Sequence, residues 1–485
     1  MAASTTTRLF ELPEIIHVLA QSLKRHELVQ CVKVSKEWHS SFSPYIWSEI
    51  KLSRRNTEIT PDTLTNYRHL IKKITCIDKI NPWYAEIHFP NLCSLHLLRF
   101  PKTGQDLFAT ILDHHSQSIT DLKIAIQNST VSPTFWESVL GLHGLKRLVL
   151  TGTNIRDNRP TARFWEICPR LKSLMIHQAF LPEASSLDPS TTIFSKVQEL
   201  YVILKSGGEL DGHLKMLACF PNLTSLAWST DSFQGAIAFP LDGFAEMMAL
   251  GAWSQLQQLF VSRCQAEDEI LALIISSMTR VKKLHVRGAD FGSIALEALR
   301  PHFPFLEALD ISSNPESPAK TGHAVIEILT HCPKLEILGA DRVLGWHIQE
   351  GDNWVCKDTL KLIQLCFQLS QAVEPKSREQ DIILGKLSEL KNLEVLNVTN
   401  NEIPSCDLKS TLDLRVQKGL NRLATLGYLR EFVFDYTKQW MEMEDIEWML
   451  IHWPNLESVQ GAPNEDEDVS IKLRAILHNR GIEAY

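Results

Sequence analysis

One pattern constrains this chain more than any other: a short LxxLxL segment that returns through most of its length. It reads LCSLHL from Leu92, ITDLKI from Ile119, LKRLVL from Leu145, LKSLMI from Leu171 and VQELYV from Val197. It continues through LTSLAW, LQQLFV, VKKLHV, LEALDI, LEILGA, LKLIQL and LEVLNV to LREFVF from Leu429 and LESVQG from Leu456, and IKKITC from Ile71 is a weaker opening copy. From Ile119 to Leu223 the copies start 26 residues apart, four times in succession. A period of about 20–29 residues, with a strand and a helical segment in each, is the signature of a leucine-rich solenoid. Alternating apolar residues in each copy face one side of a strand, and successive copies bury that side together because no single repeat can.

A second recurrence marks the joints. Pro90, Pro169, Pro221, Pro304, Pro333 and Pro454 each stand two residues before the first leucine of a copy, where a preceding helix has to end. Between copies, DEILALIISSM from Asp268, HAVIEILTHC from His323 and EDIEWMLIHW from Glu444 carry apolar residues at helical spacing. The turn residue after each strand is Asn314, Asn401 or Cys264 in some copies and Thr153, Ala179 or Ala289 in others.

Charged residues make up 22% of the chain and the net charge is −8, so an overall basic footprint for nucleic acid is absent, although a local basic patch is compatible with these numbers. The polar start MAASTTTR lacks a secretory core, and the ten scattered cysteines form no CxxC pair, which predicts a reducing compartment, cytoplasmic or nuclear, without disulfides or a zinc site. No apolar run is long enough to span a membrane. The G-x-S-x-G, P-loop, H-E-x-x-H and G-x-G-x-x-G motifs are all missing, so no catalytic residue, metal or cofactor is expected. His114 and His115 are adjacent and read as surface residues.

The first fifty residues break the repeat. Ile15, Ile16, Leu19 and Leu23 recur at helical spacing; a second helix carries Leu28, Cys31, Val32 and Val34, and a third starts near Ser35 with Trp38 and Phe42, ahead of Pro44 and Trp47. Leu12-Pro13, the LVQCVKVSKEWH segment and the P-x-x-W of Pro44 and Trp47, in this order, resemble the F-box. One departure is Glu14, two residues after Leu12, where the F-box usually has its acidic residue at three.

The whole chain resembles a fungal-type F-box protein with leucine-rich repeats. The resemblance implies an α/β solenoid: a three-helix F-box over 8–52, a linker or capping segment over 53–70, and a β/α horseshoe of about 13–15 repeats with a C-terminal cap over 71–485. It implies a substrate receptor of an SCF-type ubiquitin ligase, not itself an enzyme, whose F-box docks on a Skp-type adaptor and through it on a cullin–RING ligase. The adaptor contacts would be Leu12, Pro13, Ile16, Leu19, Leu28, Cys31, Val34 and Trp38. The solenoid would hold a target protein; nucleic acid and membrane are not expected partners. The alternative is a scaffold tethered through its F-box without degradation of the partner.

Partner contacts in the solenoid are expected where the period is broken. The Leu223 copy inserts DSFQGAIAFPLDGF, the Leu360 copy carries EPKSREQD from Glu374, and the Leu393 copy holds NEIPSCDLKSTLDLR. After Leu335 the expected helix is replaced by VLGWHIQEGDNWVCKD, whose Gly345 and Gly351 mark a loop. Trp346, His347 and Trp354 there are candidates for partner contact, with plugging of the missing helix as the competing role. The acidic run Glu465 to Asp468 reads as a solvated loop.

Overall fold

In a computed structural model of the chain the described residues are 12–53, 59–77, 82–98, 105–125, 132–152, 158–179, 192–204, 210–230, 239–262, 266–312, 318–370, 373–399 and 411–485. Residues 8–11 of the head, Thr153, Cys264, Asn314, Asn401, the start of the DSFQGAIAFPLDGF insertion and most of NEIPSCDLKSTLDLR lie outside them.

The head is three helices, α1 (Pro13–Ser22), α2 (Arg25–Cys31) and α3 (Lys36–Trp47). Each start has a local cause. Pro13 occupies the first turn of α1, where its missing N–H costs nothing. The Lys24 N–H donates to the Glu27 carboxylate at 2.6 Å at the start of α2, and Ser35 Oγ accepts from Trp38 N at 3.2 Å to cap α3. Ile16, Ala20, Leu28, Phe42 and Ile46 form the core, with Leu19, Leu23, Cys31, Trp38 and Trp47 packed partly against it.

A single residue, Ser48, separates α3 from strand β1 (Glu49–Leu52). This strand corrects the sequence reading: the end of the segment assigned to the head already opens the ladder, which therefore starts before Ile71. The Ser48 carbonyl accepts from Lys72 N and Lys73 N, each at 2.9 Å, Arg25 Nη1 donates to Glu49 O at 2.9 Å, and Trp47 stacks on Tyr67 at 4.4 Å. Tyr67 ends α4 (Pro61–Tyr67), which lies in the segment read as a linker. Head and ladder are thus welded.

The chain divides into two compact units, Met1–Pro221 with Asp231–Ala236, and Asn222–Thr230 with Ile237–Tyr485. After β1 and α4 the first unit continues with β2 (Lys73–Cys76), β3 (Ser94–Leu97), α5 (Gln105–His114), β4 (Asp121–Ala125) and α6 (Pro133–Gly141). It closes with β5 (Arg147–Thr151), α7 (Asn158–Ile167), β6 (Ser173–Ala179), β7 (Glu199–Leu204) and α8 (Leu210–Ala218). Strands β1 to β7 pair in chain order, all parallel. Ile74, Leu95, Leu122, Leu148, Leu174 and Leu200 share one row of the register and are buried. Burying each stabilises by about 1.5–3 kcal/mol, which is why the leucine spacing dictates the register.

The second unit starts with β8 (Ser225–Thr230), α9 (Leu241–Ala249), β9 (Gln258–Ser262), α10 (Asp268–Ser277), β10 (Lys283–Arg287) and α11 (Ser293–Leu299). Then come β11 (Ala308–Asp310), α12 (Pro318–His331), β12 (Ile337–Leu344), β13 (Leu362–Gln368), α13 (Val373–Ser388) and β14 (Val395–Asn397). It ends with β15 (Glu431–Val433), α14 (Met443–His452), β16 (Ser458–Gln460), α15 (Glu467–Asn479) and β17 (Glu483–Ala484). Strands β8 to β17 again pair in chain order and in parallel. Each unit is an α/β solenoid, and the fifteen LxxLxL copies are β2 to β16.

A device that the prolines conceal locks consecutive repeats. The residue after the proline, or its equivalent, donates its side chain to a carbonyl one repeat back: Asn91 Nδ2 to His69 O at 2.6 Å, Asn455 Nδ2 to Gly427 O at 2.7 Å, and Arg170 Nη1 to Leu140 O at 2.7 Å. Asn392, whose copy lacks the proline, does the same to Asp358 O at 2.8 Å. These bonds satisfy carbonyls that the turns leave without a ladder partner.

Three local expectations change. The charged run EPKSREQD is not an inserted loop but the first half of α13. Asp466 caps α15 through Val469 N at 3.2 Å, so the acidic run is solvated but forms a helix start, where negative charge is favoured. His115 is buried, with its ring stacked on His88 at 5.2 Å, because the turn after α5 packs back on the preceding repeat; His114 Nδ1 lies 2.8 Å from Ala85 O there.

Burial, then the neighbouring His88 and His114, lowers the His115 pKa to about 4. A histidine held neutral in the folded state binds its proton on unfolding, so its contribution is complete above about pH 6.5 and is lost as pH falls toward 4. Thermal melts across that window should lose up to roughly 3 kcal/mol of stability through this group. His115→Phe should flatten that slope, and an unchanged slope would contradict the assignment.

Candidate functional site

Two surfaces stand out, one in each unit. On the head, the eight residues assigned to adaptor contact separate by burial. Ile16 and Leu28 are 6% exposed and belong to the bundle's own core. Leu19, Cys31 and Trp38 are half-buried against that core, Trp38 with its ring 5.3 Å from Phe42. Leu12, Pro13 and Val34 face solvent, Leu12 at 48% and Val34 at 64% exposure. Val18, at 65%, joins them. Sequence reasoning missed it because it falls off the apolar stripe of α1, and that displacement was itself the signal. Large apolar side chains at this exposure, on a bundle with a complete core, are surface available to a partner.

In the second unit the broken repeat after Leu335 forms a cleft of about 700 Å³, lined by Gly345, Trp346, Ile348, Gln349, Glu350, Gly351, Arg378, Glu379 and Ile382. An adjoining hollow of about 340 Å³ shares Glu350, Arg378 and Ile382. As expected, no α-helix connects β12 and β13; a single 3-10 turn, Gly345–His347, follows β12. Close approach makes two glycines necessary here. A Cβ on Gly345 would lie 2.5 Å from the Glu379 carboxylate, and one on Gly322 would lie 2.2 Å from Nδ1 of His347.

The three candidates in this segment part company. Trp346 is 61% exposed at the cleft. His347 is half-buried against Gly322, and burial followed by His323 lowers its pKa. Trp354 is fully buried, which corrects its assignment as a contact: like Ile348 and Cys356 it belongs to the core of a repeat that lacks its helix. Glu379 is held by Ser370 N at 2.7 Å and by the Ser370 hydroxyl, while Asp381 pairs with Arg422 at 3.2 Å and Glu389 with Lys386 at 3.0 Å. The cleft is thus a hollow with one exposed indole, and the ion pairs line the hollow beside it.

Neither surface carries a nucleophile arranged beside a base. Burial pushes the Cys76 and Cys356 thiols up to about 12 and raises those of Cys168 and Cys332 further, so these sulfurs behave as small apolar groups. Among the described residues no group of three or more His, Cys, Asp or Glu is placed to hold a metal ion, and no helix is long and apolar enough to cross a membrane.

No family model matches the chain, and no curated protein matches it. Among solved structures the chain is similar to an internalin from Listeria monocytogenes str. 4b F2365, with a TM-score of 0.29 and 13% identity over 87% of this chain and 88% of that one. So loose a likeness bears on neither the fold nor the function. The parallel ladders, with LxxLxL leucines buried in register, make each unit an α/β solenoid built on a leucine-rich repeat.

Proposed function

We propose that this chain is the substrate-recognition subunit of an SCF-type ubiquitin ligase: its head docks on a Skp-type adaptor and its solenoid holds a target protein. The observation that supports this best is the head itself. Its small bundle has its own core yet leaves Leu12, Pro13, Val18 and Val34 in solvent, and it joins the ladder through one residue. A receptor of this kind works by position, raising the effective concentration of a target beside a conjugating enzyme. A head with a flexible linker would dilute that effect; the Ser48 and Arg25 bonds and the Trp47–Tyr67 stack prevent it.

The burial pattern separates binding from folding. Leu12→Asp with Val34→Asp places charge on exposed positions and should leave the melting temperature within about 2 °C of wild type, since surface changes are usually within ~0.5 kcal/mol. The same variant should lose adaptor and cullin in affinity purification followed by mass spectrometry. Ile16→Asp would unfold the head and tests nothing about docking. Equal adaptor recovery by wild type and the double variant would refute the docking surface. Target turnover that is unchanged in cells lacking the chain would favour the scaffold over the ligase subunit.

A further inference from the structure

Three acids are buried among the described residues, and two of them answer to a cation. Asp310 pairs with Arg287 at 2.6 Å and lies 3.7 Å from His285, and the Asp445 charge acts on Arg415. Glu379 differs. It is 9% exposed, and its carboxylate accepts from Ser370 N at 2.7 Å and from the Ser370 hydroxyl. No cation lies within ion-pair distance of it among the described residues. A buried charge is costly unless a counter-charge meets it. Gly345 makes room for this carboxylate, since a Cβ there would lie 2.5 Å from it.

Glu379 lines the cleft beside the Gly345–His347 turn. So does Glu350, which is exposed and likewise forms no ion pair among the described residues. The exposed Trp346 lines the same cleft, with Ile348 and Ile382. In the adjoining hollow the acids are already answered, Asp381 by Arg422 and Glu389 by Lys386. Arg378 lines both cavities, but it is exposed and pairs with neither Glu350 nor Glu379. The cleft therefore combines an aromatic face, aliphatic walls and two carboxylates without a cation, one of them buried.

We infer that this cleft takes one basic side chain, lysine or arginine, from an exposed segment of a partner protein. The cation would supply the counter-charge that Glu379 and Glu350 lack, through charge-assisted contacts. Its aliphatic stem would lie against Ile348 and Ile382, and the Trp346 indole would offer a cation–π face. An anion would gain Arg378 but would face two carboxylates, and like charges brought together across an interface are unfavourable. The inference rests on reading the solenoid as the target-holding part. The cleft lies within the second unit, so its test is independent of the head.

The blocked amides of arginine, lysine, citrulline and glutamate are each titrated into the full chain in low salt and followed by saturation-transfer NMR. Saturable binding of the arginine or the lysine derivative is expected, at least about fivefold tighter than that of uncharged citrulline. Trp346→Ala and Glu379→Gln should each weaken it by about fivefold or more, while Arg378→Ala should not weaken it. Trp346 is exposed, so Trp346→Ala keeps the test decisive even where Glu379→Gln disturbs folding. Trp346→Ala should also keep the wild-type melting temperature and adaptor binding, so a failed cleft is distinguishable from a failed head. Absence of saturable binding by both cations, equal binding of citrulline, or binding unchanged by Trp346→Ala would overturn the inference. So would tighter binding of the glutamate derivative that is lost in Arg378→Ala.

Discussion

Trp354→Ala should destabilise the second unit by about 3–5 kcal/mol, the range for removing a large aromatic ring from a core. The indole is fully buried in the segment where the repeat lacks its helix, so its removal leaves a void in the core. Urea denaturation followed by circular dichroism would show the shift. Trp346→Ala, eight residues away and 61% exposed, should change stability by less than about 0.5 kcal/mol. A small loss for Trp354 would mean that the broken repeat is held by something other than this plug.

Gln439→Leu should cost about 2–4 kcal/mol for a different reason. Gln439 is completely buried; its Oε1 accepts from Leu414 N at 2.9 Å and its Nε2 donates to Leu412 O at 2.9 Å and to Thr437 Oγ1 at 3.0 Å. Leucine fills the same space but leaves a buried N–H and a buried carbonyl unpaired, each worth about 1–3 kcal/mol. The segment pinned this way, 411–418, has no helix or strand of its own beyond a short 3-10 turn. Gln380 and Asp445 hold it too: Gln380 Oε1 accepts from Asp413 N at 2.9 Å and Asp445 Oδ1 from Val416 N at 2.7 Å. Hydrogen exchange at Leu414 should accelerate in the variant well before global unfolding; retained protection there would contradict the role.

The contrast between these two residues shows what the sequence could and could not reveal. The ladder was legible because burial on one face of a strand leaves a periodic trace, and all fifteen LxxLxL copies are strands. Strands β1 and β17, EIKL and EA, were not read because they carry too few apolar residues to register as copies. Trp354 and Trp346 are the same residue type in one glycine-bounded segment, and only tertiary packing separates a plug from a surface. His115 was misread for the same reason: adjacency to His114 says nothing about a turn folded back on His88. Gln439 gave no signal, since a buried glutamine is recognised by the backbone groups it meets.

On the head, the order of Leu12-Pro13, the second helix and Trp47 was readable, whereas the division of those residues between core and surface was not.

We propose that the head docks on a Skp-type adaptor through side chains it leaves in solvent. Mixing the purified chain with a purified Skp-type adaptor and measuring mass by light scattering after size exclusion tests it most directly. A one-to-one complex is expected for wild type and two separate species for Leu12→Asp with Val34→Asp, with the melting temperature unchanged. Wild-type chain and adaptor eluting apart would contradict it, and the molecule would then be a leucine-rich scaffold with a helical cap.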